Sequence, residues 1–278
     1  MSADIAVVTD STAYISEEEV SSLGIKVVPL TVNFEDHSME DGLLDSKEFF
    51  KKVDAATKIP FTSQPSVGQF KECYEDLLAQ GKEIISIHIS SKISGTTESA
   101  LNAARMVGEK NISVVDSEQT VEPLAFLVRA AVEWAQQGLS RKEIVERLDQ
   151  EKKKIKTMFI PETLEYLKKG GRIGGAQALL GSLLQIKPVL YLNEGMVDTL
   201  DKVRTRKKAI NRMLEEIPHD ASKLKLVVLH ALAENEAVEL KERLAKEIPH
   251  AELSVAEVGP VISVHSGPLI GIGCWPQG

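Results

Sequence analysis

The chain has 278 residues, 41 acidic and 33 basic side chains for a net charge of −8, and a hydrophobic content of 43%. That is enough for about two domains at ~150 residues each, and too apolar a composition for a disordered chain. An acidic balance disfavours wholesale nucleic-acid binding, which needs basic surface to release counterions.

In chain order, Ile5–Val8, Lys26–Val32, Ile84–Ile89 and Ile112–Val115 read as short buried strands rich in β-branched residues. Amphipathic segments separate them. Ser16-Glu17-Glu18-Glu19 is a capping box opening the first helix, and Gly24 closes it. Ser66 with Gln69 opens a second, running to about Gln80 before Gly81; a third covers Thr96 to Val107; a fourth runs from about Glu122 to Gln137. Strand–helix alternation of this kind implies a mostly parallel sheet with flanking helices.

The second half has a different rhythm. A strand near Thr157–Ile160 precedes a helix from about Pro161 to Lys169, which Gly170-Gly171-Arg172-Ile173-Gly174-Gly175 breaks. An apolar helix is expected from Ala176 to about Leu184. Pro188–Leu192 and Met196–Leu200 flank Asn193-Glu194-Gly195, a hairpin turn. A helix, a strand at Lys225–His230, a helix at Glu234–Lys246 and two or three final strands complete a mixed-sheet α/β unit. The expectation is an α/β chain of two domains, 1–152 and 153–278, the first with a mostly parallel sheet and the second with a mixed one.

Two cysteines, Cys73 and Cys274, form no CxxC pattern, which excludes a disulfide framework, a zinc ribbon and a thioredoxin motif. Free thiols and the lack of a signal-like start point to a cytoplasmic protein. Val258–Trp275 carries no charge but holds four glycines, two prolines and His265, so it suits buried strands better than a membrane helix. There is no Walker A loop. Gly271-Ile272-Gly273 starts a dinucleotide fingerprint that fails at Pro276, and no HExxH, EF-hand or GxSxG motif occurs. The six histidines are scattered, so neither a metal nor a common cofactor is expected.

What remains is hydroxyl-rich loops at strand ends, where open α/β sheets gather ligands. They are Thr9-Asp10-Ser11-Thr12, Ser90-Ser91-Lys92-Ile93-Ser94-Gly95-Thr96 and Asp116-Ser117. Ser94 and the amides after Gly95 suit a carboxylate or phosphate at a helix start; capping that helix is an equally good use of Ser94. Thr62 and Ser63 are left over once Ser66 and Gln69 account for their helix, and serve either as turn-formers or as further anion ligands. His265 interrupts a strand-like run, Val261–His265, beside Ser266-Gly267-Pro268, and is either a core residue or part of a site. Arg172, fixed among glycines, suits bidentate anion recognition or a plain helix end. Lys202–Lys208 places five cations in seven residues, a solvated face or a dock for an acidic partner. A hydrolase using Ser94, His265 and either Asp10 or Asp116 is the enzymatic alternative.

Several of these motifs, in one order and spacing, resemble the DegV family. They are Thr9-Asp10-Ser11, Thr62-Ser63-Gln64-Pro65-Ser66, Ile87 to Thr96, Val115-Asp116-Ser117, Thr163 to Ile173, Leu180-Gly181-Ser182-Leu183-Leu184, Ile186-Lys187-Pro188, Gly259-Pro260-Val261 and Val264 to Pro268. The resemblance covers essentially the whole chain. It implies a fatty-acid-binding protein without its own nucleotide site, similar to FakB, the binding subunit of bacterial fatty acid kinase. One long-chain fatty acid would lie between two α/β domains, its carboxylate held by Thr62, Ser63, Ser94, Gly95 and His265 with Arg172 beside it. The acid would be presented to a kinase subunit docked near Arg204 and Arg206, and the acyl phosphate would enter phospholipid synthesis. No transmembrane segment and no nucleic acid is implied, and membrane contact would be transient and superficial. The chain departs from the family pattern at Glu118–Pro123, where a glycine-bearing segment is usual, and at Leu269, where a glycine is common. Both changes bear on the acyl tunnel.

Overall fold

The first apolar run forms β1 (Ile5–Asp10), buried along all but its first residue, in the computed structural model, which describes residues 4–181 and 186–277. After α1 (Glu17–Leu23), capped by Ser16 and closed at Gly24, the run Lys26–Val32 divides. Pro29 has no N–H to give a ladder, and the chain leaves β2 (Lys26–Val28) for β3 (Thr31–Asn33) and β4 (Ser38–Glu40) in a separate small sheet. α2 (Ser46–Ala55) leads to β5 (Phe61–Ser63), which pairs antiparallel with β3. Then follow α3 (Val67–Ala79), β6 (Glu83–His88), α4 (Thr96–Val107), β7 (Ile112–Asp116), α5 (Val121–Gln136) and α6 (Arg141–Glu151). α2 and α6 add to the expected helices. The signal for α6 is Ser140 with Glu143, a capping box with both hydrogen bonds made. Strands β2, β1, β6 and β7 form a parallel sheet in that order.

A short turn then leads into β8 (Lys156–Pro161). Because β8 consumes Pro161, α7 (Glu165–Lys169) is shorter than the helix expected from that proline. Gly174–Leu179 winds as a 3-10 helix instead of the α-helix expected from Ala176, and the expected end at Leu184 lies outside the described residues. β9 (Lys187–Asn193) and β10 (Met196–Val203) make the hairpin, with Glu194 and Gly195 at φ of 48° and 81° as a type I′ turn requires. α8 (Arg206–Leu214), β11 (Lys223–Ala231), α9 (Glu234–Glu247), β12 (Glu252–Glu257), α10 (Pro260–Ser266) and β13 (Leu269–Gln277) complete the chain. The sheet order is β10-β9-β8-β13-β11-β12, antiparallel except for the β11–β12 pair.

α10 corrects the reading of Val261–His265 as a strand. Pro260 at the first helical position has the φ a helix needs and no N–H to leave unpaired, and this outweighs the β-branched composition behind it. The fold is α/β, with a parallel sheet in the first half and a mixed sheet in the second. α3 and α4 cover one face of the parallel sheet, and α8 and α9 one face of the mixed sheet. α5 lies between the sheets, buried along most of its length, as an apolar helix must be. Its Phe126 stacks on Trp275 of β13, ring centroids 6.0 Å apart.

Candidate functional site

Beyond the N-terminal end of α5, the space between the sheets stays open. A cavity lies there, lined by residues from both halves of the chain. Leu30, Ile89, Phe159, Leu192, Val197 and Leu229 give it an apolar wall, and Thr62, Ser94, Arg172 and His265 line it as well.

Those four polar residues come from four separate segments. Thr62 on β5 and His265 on α10 meet directly, Oγ1 to Nε2 at 2.7 Å. Burial pushes the imidazole down to a pKa of about 4, and the nearby Arg172 charge acts in the same direction. It is therefore neutral near pH 7. His265 Nδ1 has no hydrogen-bond partner among the described residues, which favours the tautomer with the proton on Nε2. That proton goes to Thr62 Oγ1, leaving the threonine hydroxyl free to donate onward. Arg172 is pinned at the mouth: its Nε donates to Ile93 O at 3.0 Å and an outer nitrogen to Gly170 O at 2.7 Å. The Ile93 contact sets the guanidinium beside the next residue, Ser94.

Ser94 serves the start of α4 and also lies at the cavity. Its Oγ accepts from Thr96 N at 3.3 Å and shares a hydrogen with Thr96 Oγ1 at 2.9 Å, while the residue also lines the cavity. Gly95 is the N-cap of α4, and a Cβ there would collide with the Gln64 amide. Gln64 donates to Gly95 O at 3.1 Å and to Ser99 Oγ at 2.9 Å, drawing the Thr62 loop onto the start of α4. Gly170 performs a similar task across the site, since a Cβ on it would strike His265 Nδ1.

Ser63 is not brought to the cavity. Side chains alternate along β5, so with Thr62 facing inward Ser63 faces out and accepts from Asn33 Nδ2 at 2.9 Å. The carboxylates of the other two strand-end loops are also engaged elsewhere. Asp10 is fully buried, taking Ile89 N at 2.9 Å and lying 3.1 Å from His88 Nδ1; Asp116 accepts from Ser91 N and Glu118 N. Arg206 is held by Glu162 and by Glu236, the latter at 2.7 Å, whereas Arg204 is exposed with no ion pair among the described residues.

Asp41 belongs to the site's support and carries no motif that reveals it. Its carboxylate accepts from Ser11 Oγ at 2.9 Å, Val261 N at 3.0 Å and Tyr14 Oη at 3.4 Å, tying the β1 loop to the first turn of α10. Burial raises its pKa to about 6. Among the described residues, no group of three or more His, Cys, Asp or Glu could hold a metal, and no helix is long and apolar enough to cross a membrane.

Residues 4–277 match the model of the DegV family, described as an uncharacterised protein family. A DegV domain-containing protein of Halalkalibacterium halodurans is 41% identical over 268 residues, covering 95% of each chain. A solved structure described as fatty acid binding of a DegV family protein from Thermus thermophilus superposes with a TM-score of 0.92 at 35% identity, over 99% of this chain and 100% of that one. Bacillus subtilis DegV, described as a fatty acid binding protein, superposes with a TM-score of 0.91 at 38% identity, over the same shares.

Proposed function

The chain belongs to the DegV family, and from that membership we propose that it binds one long-chain fatty acid and presents the carboxylate to a separate kinase subunit. The observation that carries this reading is the apolar cavity ending at the Thr62–His265 pair, with Ser94 and Arg172 beside it. At ~0.8 kcal/mol per buried methylene, a tail of about fourteen methylenes supplies on the order of 11 kcal/mol, from which association and ordering costs are subtracted. The tail accounts for affinity. The head group, through Thr62 and Ser94 hydroxyls, the neutral imidazole and the Arg172 charge, accounts for orientation. Arg172 is exposed, so a carboxylate beside it is within reach of a second protein.

The kinase would transfer phosphoryl from its own nucleotide to that carboxylate, and the acyl phosphate would feed phospholipid synthesis. Exposed Arg204, with Arg206 behind it, is the proposed docking surface. The hydrolase alternative lacks its geometry. Ser94 hydrogen-bonds Thr96, His265 Nε2 is occupied by Thr62, and Asp10 and Asp116 are engaged by His88 and by Ser91 N.

Mass spectrometry of the purified protein, native and after solvent extraction, tests the binding step. One stoichiometric fatty acid is the expected result; an empty protein that also ignores added fatty acids overturns the reading. Adding a fatty acid kinase subunit and ATP to the loaded protein then tests presentation, with acyl phosphate as the readout.

A further inference from the structure

The cavity has a second polar spot, well away from Thr62 and His265. β8 and β13 run antiparallel with Leu269 opposite Pro161, Gly271 opposite Phe159 and Gly273 opposite Thr157. Leu269, Phe159 and Thr157 all line the cavity. Leu269 closely follows His265 and Ser266, so the Pro161 end of β8 marks the head-group level. Thr157 lies four residues further along the strand, about 13 Å away at the usual strand rise.

Thr120 lines the cavity together with Thr157. It is 7% exposed and Thr157 is 4% exposed. Gln119, next to Thr120 in the chain, accepts from Thr157 Oγ1 at 2.7 Å, which commits the Thr157 proton and leaves its oxygen able to accept. Thr120 Oγ1 has no partner among the described residues. The reason is local. Thr120 is the N-cap of α5, and its side chain makes no capping bond. The third residue of the helix is Pro123, which has no N–H for a capping hydroxyl to accept. The backbone around it is held in an unusual shape, with Glu118 and the β-branched Val121 both at φ of 56°. A valine would fit the same volume without stranding a hydroxyl in an apolar wall.

We propose that Thr120 and Thr157 form a recognition point for a hydroxyl group on the acyl chain, so that the ligand class includes fatty acids hydroxylated far from the carboxylate. The match is one of donors and acceptors. A guest hydroxyl donates to Thr157 Oγ1 and accepts from the Thr120 hydroxyl. A ketone satisfies only the second bond. An unsubstituted chain satisfies neither, and leaves Thr120 unpaired. The inference rests on the fatty-acid reading and adds the chemistry of the tail.

The test is a binding series with stearate and positional monohydroxystearates, on the wild-type protein and on Thr120→Val and Thr157→Val. Val at 120 removes no capping bond, and a melting curve shows that each variant is folded. In the wild type, one hydroxyl position binds at least as tightly as stearate, and positions a few carbons away bind about tenfold or more weaker, roughly 1.4 kcal/mol. In Thr120→Val that optimum disappears, and the preferred hydroxystearate loses about tenfold more affinity than stearate does. Hydroxystearates that are all weaker than stearate, or an optimum that survives in both variants, overturn the inference and leave the fatty-acid reading standing. If neither stearate nor any hydroxystearate binds the wild type, both fall.

Discussion

Thr62 and His265 lie 2.7 Å apart, oxygen to ring nitrogen, although 203 residues separate them in the chain. The contact joins the small antiparallel sheet to α10 at the mouth of the cavity. One hydrogen bond thereby sets the distance between the two parts of the chain that would grip a carboxylate. On the proposed reading it also divides the work, with geometry at the mouth and affinity in the apolar wall.

Thr62→Ala and Ser94→Ala should therefore lower acyl-phosphate formation by the kinase more than they lower lipid retention. Loss of one hydrogen bond to a charged group costs about 1.5–3 kcal/mol at most, a fraction of what the buried tail supplies. Retention measured by mass spectrometry and acyl phosphate measured with excess kinase separate the two. Equal losses in both would falsify the division.

Asp41 and His265 predict opposite pH dependences of stability over the same window. Burial raises Asp41 from 3.8 to about 6, so its contribution is fully present below 3.8 and is lost as pH rises through 6. His265 is lowered from 6.5 to about 4, so its contribution is present above 6.5 and is lost as pH falls through 4. Between about pH 4 and 6 the two largely cancel. Asp41→Asn should leave a stability that rises with pH across this window, and His265→Gln one that falls, each by on the order of 1–2 kcal/mol. Urea unfolding at several pH values checks this; parallel curves for the two variants would contradict it.

The strand–helix alternation of the first half is legible because each strand is a short apolar run bounded by caps such as Ser16 and Ser66. Thr62 stands out because Ser66 and Gln69 already account for the helix after it, whereas Ser94 is ambiguous because its own helix start also uses the hydroxyl. Adjacent Thr62 and Ser63 look equivalent until β5 is known to be a strand, and then only one can face inward. His265 stands on a helix because Pro260 overrides four β-branched or small neighbours, a contest that composition alone does not decide. Asp41 is illegible for a different reason. Its partners Ser11, Tyr14 and Val261 come from distant parts of the chain, and no local pattern brings them together.

The two arginines proposed to meet the kinase should behave differently. Arg204 is exposed and has no ion pair among the described residues, so Arg204→Glu should weaken kinase association while shifting stability by less than about 0.5 kcal/mol. Arg206 holds Glu162 and Glu236, and Arg206→Glu should lower the melting temperature as well, because three carboxylates would then face one another. Association rates across a salt series identify the electrostatic share. A kinase that binds Arg204→Glu as fast as the wild type would remove this surface from the proposal.

Gly170→Ala tests whether the position of His265 matters independently of its chemistry. The backbone at Gly170 has φ of −74° and ψ of −11°, which alanine adopts without strain. A new Cβ there nevertheless collides with His265 Nδ1 and sits 3.2 Å from Tyr166 O. The imidazole must move, since the carbonyl belongs to α7 and cannot. Stability should fall by about 1–3 kcal/mol, while the ring-nitrogen signals of His265 shift and acyl-phosphate output falls by about tenfold, roughly 1.4 kcal/mol in a transition-state barrier. Lipid retention should fall less, because every apolar wall residue is untouched. A variant with shifted imidazole signals and full output would show that Thr62 and Ser94 hold the carboxylate without the histidine.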